Sequence, residues 1–212
     1  MKKSINPGVY GWRHKHWMKS FYPEDLPVNG TEDWRLAYYS NEFNTVMVPF
    51  DYWQARKTVD CAGWLDDVNE DFQFFVECHE SMLEHLSAVE LTDCLKILQP
   101  QLSGLVFLEE NPAAKEKFSA VIDALAVDVF EPVSALDSAG QKMWCADKSL
   151  SSALVVIEND LSDLRAVRTL VERIAAQWSD VHNRGITIIL DQPKLKAAKL
   201  SKFRSVLEIM GY

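Results

Sequence analysis

Residues 11–23, GWRHKHWMKSFYP, hold the densest group of side chains that could do chemistry in this sequence. They include two Trp, a Phe, a Tyr, two His and three cations, and no acid. Tryptophans stack on sugars and bases, histidines bind metals, and cations pair with anions. The stretch is consistent with a metal site, an aromatic platform for a polymer, a basic lip around an anion, or a barrel plug. We interpret it as an aromatic plug carrying a basic lip, and its expected ligand-binding residues are Trp12, Arg13, His14, Lys15, His16 and Trp17.

A metal site in this stretch would rest on His14 and His16, which share a face if they lie on a β-strand. Side chains farther along the chain could add a third ligand for zinc or iron, namely Glu77, His79, His85 or Asp191. The sequence contains no H-x-x-x-H or E-x-x-H helical pair. We therefore interpret the histidines as ordinary hydrogen-bonded side chains, and we predict neither a metal nor another cofactor.

The charge of −9 is unevenly distributed along the chain. Residues 1–20 carry +5, residues 184–212 carry +4, and the stretch between them carries −18. An acidic body of this kind opposes general nucleic-acid binding, which requires an extended basic surface to neutralise phosphates. The two basic ends would act together only if the fold joins them.

Short apolar runs alternate with amphipathic stretches along the whole chain. The strand-like runs lie at 43–50, 72–78, 102–109, 127–133, 152–159 and 185–191, with weaker ones in VYGW (9–12) and KMWCA (142–146). The helix-like stretches lie at 31–42, 54–67, 83–99, 113–126, 161–182 and 195–210. Continuous apolar runs separated by helices predict parallel strands buried on both faces. We predict an α/β fold, a TIM-type (β/α) barrel forming one domain over residues 1–212, with a doubly wound open sheet as the alternative.

The second half of this barrel is expected to be shortened or incomplete. Eight residues separate the run ending at 133 from KMWCA, and six separate KMWCA from ALVVI. A crossover between parallel strands needs a dozen or more residues. Either the barrel lacks some of its usual elements here or residues 142–158 form a hairpin.

Composition and cysteine usage indicate a soluble protein. The first residues contain no apolar segment typical of a secretory signal, and the longest apolar runs, ALVVI and ITIIL, are too short to span a bilayer. The four cysteines are 17, 16 and 51 residues apart and form no C-x-x-C motif. Scattered cysteines in a chain of 212 residues are typical of buried, reduced thiols, so we expect a cytoplasmic location.

Three N-terminal blocks resemble the YecE-like family, also called domain of unknown function 72. The opening block matches the pattern G-x-x-G-W-x-Y-x-x-W-x-x-x-F-Y-P, with His14 in the place of Tyr, at Gly8, Gly11, Trp12, Trp17, Phe21, Tyr22 and Pro23. The stretches YYSNEFNTVMVPFDYW and NEDFQFFVECHESMLEH resemble the next two blocks, and GITIILDQPKLKAAKL falls where the family's last strand and final helix lie. The resemblance implies a TIM-type barrel and no established reaction.

Departures from the family pattern affect its polar residues. The Glu and Asn that the resemblance implies on the second strand are Met47 and Pro49 here. The implied Lys on the third strand is Glu77, and the Asn pair at the last strand is Asp191-Gln192. If those residues form a polar site in the family, this chain has lost or inverted it, and a degenerate, non-catalytic member is one hypothesis.

Barrel enzymes place their chemistry at the carboxyl ends of the strands. By that rule three strand-end carboxylates could act as acid or base, Glu77, Glu158 and Asp191. The loops after the first and last strands are neighbours in a closed barrel, and the final helix would begin at that rim. We therefore expect a small anion to bind there, with Gln192 as a further ligand-binding residue and the charge supplied by Arg13, Lys15, Lys194 and Lys196.

Three functions follow from these observations. The first prediction is a protein that binds a small anionic molecule at the carboxyl end of the barrel, or a partner protein, without catalysis. The alternative is a small-molecule enzyme that uses the strand-end carboxylates as acid and base. A nucleic-acid or phosphodiester enzyme using the basic first loop is the weakest of the three, and no membrane partner is expected.

Overall fold

Eight strands form a closed barrel surrounded by helices in the computed structural model. The structure describes residues 4–29, 32–54, 61–109, 111–132, 142–146, 152–158, 161–177, 185–192 and 194–212. The strands are β1 (Ile5–Tyr10), β2 (Val28–Asn29), β3 (Glu32–Asp33), β4 (Thr45–Val48), β5 (Gln73–Glu77), β6 (Leu102–Val106), β7 (Val129–Pro132), β8 (Lys142–Ala146), β9 (Ala153–Ile157) and β10 (Ile186–Leu190). The helices are α1 (Arg35–Ser40), α2 (Asp51–Gln54), α3 (Cys61–Asp66), α4 (Met82–His85), α5 (Ala88–Leu98), α6 (Pro112–Lys117), α7 (Ser119–Leu125), α8 (Leu164–Gln177) and α9 (Ala197–Met210).

The barrel contains all eight of the predicted strands, and it confirms the TIM-type α/β fold. Its strand order is β1, β4, β5, β6, β7, β8, β9, β10, and β10 pairs with β1 to close the ring. Seven strands run in one direction, whereas β8 is antiparallel to both β7 and β9. The connections on either side of β8 are too short for a crossover between parallel strands. The predicted hairpin over 142–158 is therefore present, and it completes the barrel in its shortened half.

Two of the predicted helical stretches are each divided into two helices. The stretch 83–99 is α4 followed by α5, because Ser87 begins a new helix. The Ser87 side chain accepts a hydrogen bond from the Glu90 backbone N–H, and the Glu90 side chain accepts one from the Ser87 N–H, which is a capping box. The stretch 113–126 is α6 followed by α7, with Phe118 between them.

Two clusters of buried apolar side chains lie on opposite faces of the strands. The larger includes the buried positions of the helices, so it fills the layer between the barrel and its helices. The smaller, here called the inner cluster, consists of Met47, Phe75, Val106, Phe130, Trp144, Leu154, Val156 and Ile189. Along β9 the residues alternate between the two clusters, as successive side chains of a strand do. The inner cluster therefore fills the barrel interior.

Polar residues lie on both sides of the inner cluster along the strands. On β5 the interior positions are Gln73, Phe75 and Glu77, and on β10 they are Thr187, Ile189 and, just past the strand, Asp191. The barrel interior is therefore polar at its amino end, apolar in the middle and polar at its carboxyl end.

Candidate functional site

The loop after β1 is held in place by the hydroxyl of Tyr52 on α2. This oxygen accepts hydrogen bonds from the backbone N–H of Trp12 (3.2 Å) and of Arg13 (2.8 Å). Gly11 has a φ of +72°, and a Cβ there would lie 2.8 Å from the same hydroxyl. Glycine is required because the backbone is left-handed and the Tyr52 hydroxyl occupies the space of a side chain.

Arg13 is paired inside the protein. Its Nε lies 3.2 Å from Oδ2 of Asp33, and its guanidinium lies 4.5 Å from the ring centroid of Tyr52. Arg35 binds the same carboxylate through two hydrogen bonds of 2.7 Å. Burial raises the pKa of Asp33, but the two arginines outweigh it and hold that pKa below its ordinary value. Arg13 thus helps to fix the first loop against β3.

The two histidines of the first loop have different surroundings. His14 packs 4.5 Å from the ring of Trp17, and its buried Nε2 has no hydrogen-bond partner among the residues that the structure describes. Burial, and then the neighbouring charge of His16, lower the pKa of His14 to about 4. His16 is exposed, and its Nε2 lies 2.7 Å from the carbonyl oxygen of Leu195. A carbonyl only accepts, so Nε2 of His16 carries a hydrogen.

The first and last loops are neighbours, as predicted from barrel closure. The Leu195 carbonyl also accepts a hydrogen bond of 2.6 Å from Nε1 of Trp17, so it joins two side chains of the first loop. Lys15 and Lys194 are exposed on the two loops. Trp12 and Trp17 are fully buried, so neither ring presents a face to a ligand in this structure. The basic lip consequently consists of Lys15, His16 and Lys194 without the tryptophans.

Glu77 is a buried carboxyl group inside the carboxyl end of the barrel, with 4% of its surface exposed. Its Oε2 accepts hydrogen bonds from the Tyr10 hydroxyl and from the backbone N–H of Phe50, the latter 2.9 Å long. Burial raises the pKa of Glu77 above its ordinary value, although both hydrogen bonds act in the opposite direction. Within the described part of the chain Oε1 makes no hydrogen bond, so the second oxygen of Glu77 is available to a ligand.

Tyr10 has a raised pKa, first because it is buried and then because it bonds to Glu77. The charges of Asp191 and Asp51 raise the pKa further. The carboxyl end of the barrel therefore brings together Tyr10 of β1, Glu77 of β5 and Phe50, which follows β4.

A cavity of about 330 Å³ opens beside Glu77, at the ends of β5 and β6. Its wall is formed by Phe50, Glu77, Cys78, His79, Glu80, Phe107, Leu108, Glu109, Asn111 and Ala114. Burial raises the pKa of the Cys78 thiol above its ordinary range, which disfavours the thiolate that a nucleophilic cysteine requires.

His79 also forms part of the cavity wall. Its ring stacks on Phe50 with 4.6 Å between centroids and an interplanar angle of 28°. Its Nδ1 accepts a hydrogen bond from the Ser81 backbone N–H (3.2 Å), so the neutral ring carries its hydrogen on Nε2. Phe50 therefore positions both groups, His79 through its ring and Glu77 through its N–H.

The structure brings together some of the sequence-predicted residues and separates others. Glu77 bonds to Tyr10 at the carboxyl end of the barrel. Asp191 and Gln192 are half-buried after β10, whereas Glu158 is exposed just past β9. Sequence reasoning missed Tyr10 and Phe50. Tyr10 could have been found, because it occupies the last position of β1 as Glu77 does on β5. Met47, where the resemblance implies Glu, belongs to the apolar inner cluster.

Neither a metal cluster nor a membrane span is found in the described part of the chain. None of its groups of His, Cys, Asp and Glu side chains has three members arranged to hold a metal ion. None of its helices combines the length and apolar character needed to cross a membrane.

The fold and the carboxylates at its strand ends define the class of TIM-type α/β barrels. Residues 7–133 match the family model described as "Protein of unknown function DUF72". The chain therefore belongs to the domain of unknown function 72 family, as its N-terminal blocks predict. Comparison with curated proteins finds no match for this chain.

Solved structures of family members share the fold. A DUF72 family protein from Thermotoga maritima aligns with a TM-score of 0.63 at 14% identity, covering 96% of this chain and 99% of that one. A DUF72 family protein from Enterococcus faecalis aligns with a TM-score of 0.53 at 9% identity, covering 99% of this chain and 98% of that one. At these identities the likeness concerns the fold alone.

Proposed function

We propose that this protein binds a small molecule in the cavity beside Glu77 and exchanges a proton with it through that side chain. The observation that carries the proposal is the state of Glu77. It is buried, its pKa is raised, and it lines a cavity with one carboxyl oxygen occupied and the other available. Groups with a perturbed pKa in a cleft are typical of acid–base sites.

The two oxygens of Glu77 would have different tasks. Oε2 already accepts from the Tyr10 hydroxyl and the Phe50 N–H, so the exchanged proton resides on Oε1. When Oε1 gives its proton to the bound molecule, the same two donors stabilise the carboxylate that remains. His79, which carries hydrogen on Nε2 when neutral, lines the same cavity and supplies a second proton-exchanging group.

The charges around the cavity favour a neutral or cationic ligand over an anion. Glu77, Glu80 and Glu109 line it, and the described part of its lining contains neither Lys nor Arg. Glu80 is paired with Lys117 (2.7 Å), which lies outside the lining, so part of this negative charge is compensated. The volume is at the lower end of the roughly 300–1,000 Å³ range of small-molecule pockets.

The test is a thermal-shift screen of the whole chain at fixed ionic strength. The panel contains neutral sugars, amines, amino acids, nucleotides and sugar phosphates. A ligand at 100 times its Kd stabilises the folded state by about 2.7 kcal/mol. For a domain of this size the melting temperature rises by about 2–4 °C per kcal/mol. Hits are then incubated in D₂O, and NMR follows the exchange of ligand C–H protons, which reports proton transfer to or from carbon.

Two matched variants decide between catalysis and binding. Glu77→Gln keeps an oxygen that accepts from Tyr10 and Phe50 but cannot exchange the proton, and Glu109→Gln removes another carboxylate of the same cavity. Exchange lost in Glu77→Gln and kept in Glu109→Gln supports the proposal. Binding without exchange in the wild type rejects proton transfer at carbon and leaves ligand binding as the function that the screen supports. A panel without hits rejects both and favours the predicted partner protein.

A second candidate function, binding of a small anion, is supported by the link between the first and last loops. The Leu195 carbonyl bonds to both His16 and Trp17, which brings the Lys15 and Lys194 segments to one rim. Phosphate and sulfate are the probes, tested by isothermal titration at two ionic strengths. Loss of binding in Lys15→Ala and Lys194→Ala would support an anion site, and unchanged binding would place the anion elsewhere.

A further inference from the structure

A second cavity, of about 340 Å³, lies at the amino end of the barrel. It is lined by the beginnings of β5, β6, β9 and β10 and by the turn before β7. The inner cluster lies between this cavity and the Glu77 cavity, because its members follow the amino-end residues along the same strands. The two cavities are therefore separate sites.

The walls of this amino-end cavity are polar. Gln73, Asp128, Ser152 and Thr187 line it, and each precedes a member of the inner cluster by two residues, so all four positions face the barrel interior. Ser103 also lines the cavity, at the register shift between β5 and β6. The Ser152 hydroxyl donates a hydrogen bond to Oδ2 of Asp128 (3.3 Å), and Oε1 of Gln73 accepts one from Nδ2 of Asn6 (3.5 Å). The Gln73 amide and the Thr187 hydroxyl each have further hydrogen-bonding capacity at this wall.

Aromatic side chains form the floor of the amino-end cavity. Phe75 and Phe130 line the cavity and form an edge-to-face pair with 5.5 Å between ring centroids. Gly104 makes room for this arrangement, because a Cβ there would lie 2.4 Å from Cε2 of Phe130. Both rings are buried, so they close this end of the cavity against the inner cluster.

The chemistry of the lining selects the class of ligand. Its described residues include neither Lys, Arg nor His, and their single ionisable side chain is Asp128, so an anion finds no counter-charge. The amide of Gln73 and the hydroxyls of Ser152 and Thr187 each donate and accept hydrogen bonds, as the hydroxyls of a polyol do. We propose that the amino-end cavity binds a neutral polyhydroxylated molecule, a monosaccharide or polyol, with its hydroxyls on these side chains.

The experiment compares ligands that share one scaffold and differ in charge. Glucose, glucosamine and glucose 6-phosphate, with galactose and sorbitol as further neutral members, are titrated onto the whole chain by isothermal titration and saturation-transfer NMR. We expect at least one neutral member to bind with a Kd tenfold or more below that of the phosphate. Absence of binding by every neutral member, or tighter binding of glucosamine, would overturn the proposal.

Variants locate the ligand. Thr187→Val changes a hydroxyl to a methyl of nearly the same shape, and Asp128→Asn removes the charge, so each is expected to weaken binding at least fivefold. Glu77→Gln, at the other end of the barrel, is the control and should leave the Kd unchanged. Loss of binding in Glu77→Gln alone would assign the ligand to the carboxyl-end cavity and overturn this proposal. Thermal unfolding of each variant shows whether it is folded.

Discussion

The Tyr10 hydroxyl donates a hydrogen bond to Oε2 of Glu77, and this contact joins the end of β1 to the end of β5 past the intervening strand β4. Both residues are last in their strands and lie above the inner cluster. The pair, with the Phe50 N–H as a second donor, holds a titratable group at the wall of a cavity. Its ionisation can therefore be followed through stability before any ligand is known.

Glu77→Gln is expected to change the pH dependence of stability. The folded pKa of Glu77 is raised above the ordinary 4.5, so the folded state binds the proton more tightly than the unfolded state. The wild type therefore loses stability as the pH rises from 4.5 through the folded pKa, by at most about 1.4 kcal/mol per pH unit. Gln does not titrate, so the free energy of unfolding of the variant should rise relative to that of the wild type over this pH range. Denaturant unfolding from pH 4 to 8 measures this difference, and parallel curves would contradict the prediction. Glu109→Gln is the control.

His14→Phe is expected to change the pH dependence of stability at acid pH, with a sign opposite to that of Glu77→Gln. The folded pKa of His14 is about 4 against an ordinary 6.5, so the folded state favours the neutral ring. The wild type is expected to lose on the order of 2–3 kcal/mol as the pH falls from 6.5 to 4. The variant lacks this loss, so its free energy of unfolding should change less than that of the wild type between pH 6.5 and pH 4.

The measurement for His14 is the free energy of unfolding at half-unit steps from pH 7 to pH 4. His85→Gln, on the exposed end of α4, controls for the loss of a histidine as such. An acid-range slope that is the same in His14→Phe and in the wild type would contradict the assignment.

Tyr52→Phe is expected to destabilise the first loop. The change leaves the backbone N–H groups of Trp12 and Arg13 without their acceptor, and each such loss in a buried position costs about 1–3 kcal/mol. We expect a loss of about 2 kcal/mol or more in denaturant unfolding, with faster amide hydrogen exchange at residues 12 and 13. Tyr38→Phe, another half-buried tyrosine, should cost less than 1 kcal/mol. Equal costs in the two variants would show that the Tyr52 hydroxyl does not hold the loop.

Gly104→Ala should destabilise the barrel interior by about 1–3 kcal/mol through overpacking. The added Cβ would lie 2.4 Å from Cε2 and 2.7 Å from Cδ2 of Phe130, so the ring must move. The cost should fall sharply in a Phe130→Leu background, which a double-mutant cycle on unfolding free energies measures. Ser103→Ala is the neighbouring control. A cost that does not change in the Phe130→Leu background would locate the strain elsewhere, for example at the Asp128 carbonyl, 3.0 Å away.

The sequence by itself determined the eight strands and, through the resemblance of its N-terminal blocks, the family, whereas it left a doubly wound open sheet as the alternative to the closed barrel. Strands such as ALVVI and ITIIL are buried on both faces, so they are continuous apolar runs that the sequence pattern alone indicates. The antiparallel direction of β8 was also predictable, because connection length limits which strands can be parallel.

Only the tertiary structure decided which partners the candidate site residues contact. Arg13 was expected to bind an anion, and it is paired with Asp33. Glu77 was identified as a strand-end carboxylate, but its bonds to Tyr10 and Phe50 join residues 67 and 27 positions away in the sequence. The physical reason is that composition and periodicity are local properties, whereas these pairings depend on the closure and register of the barrel, which fix distances between residues far apart in the chain.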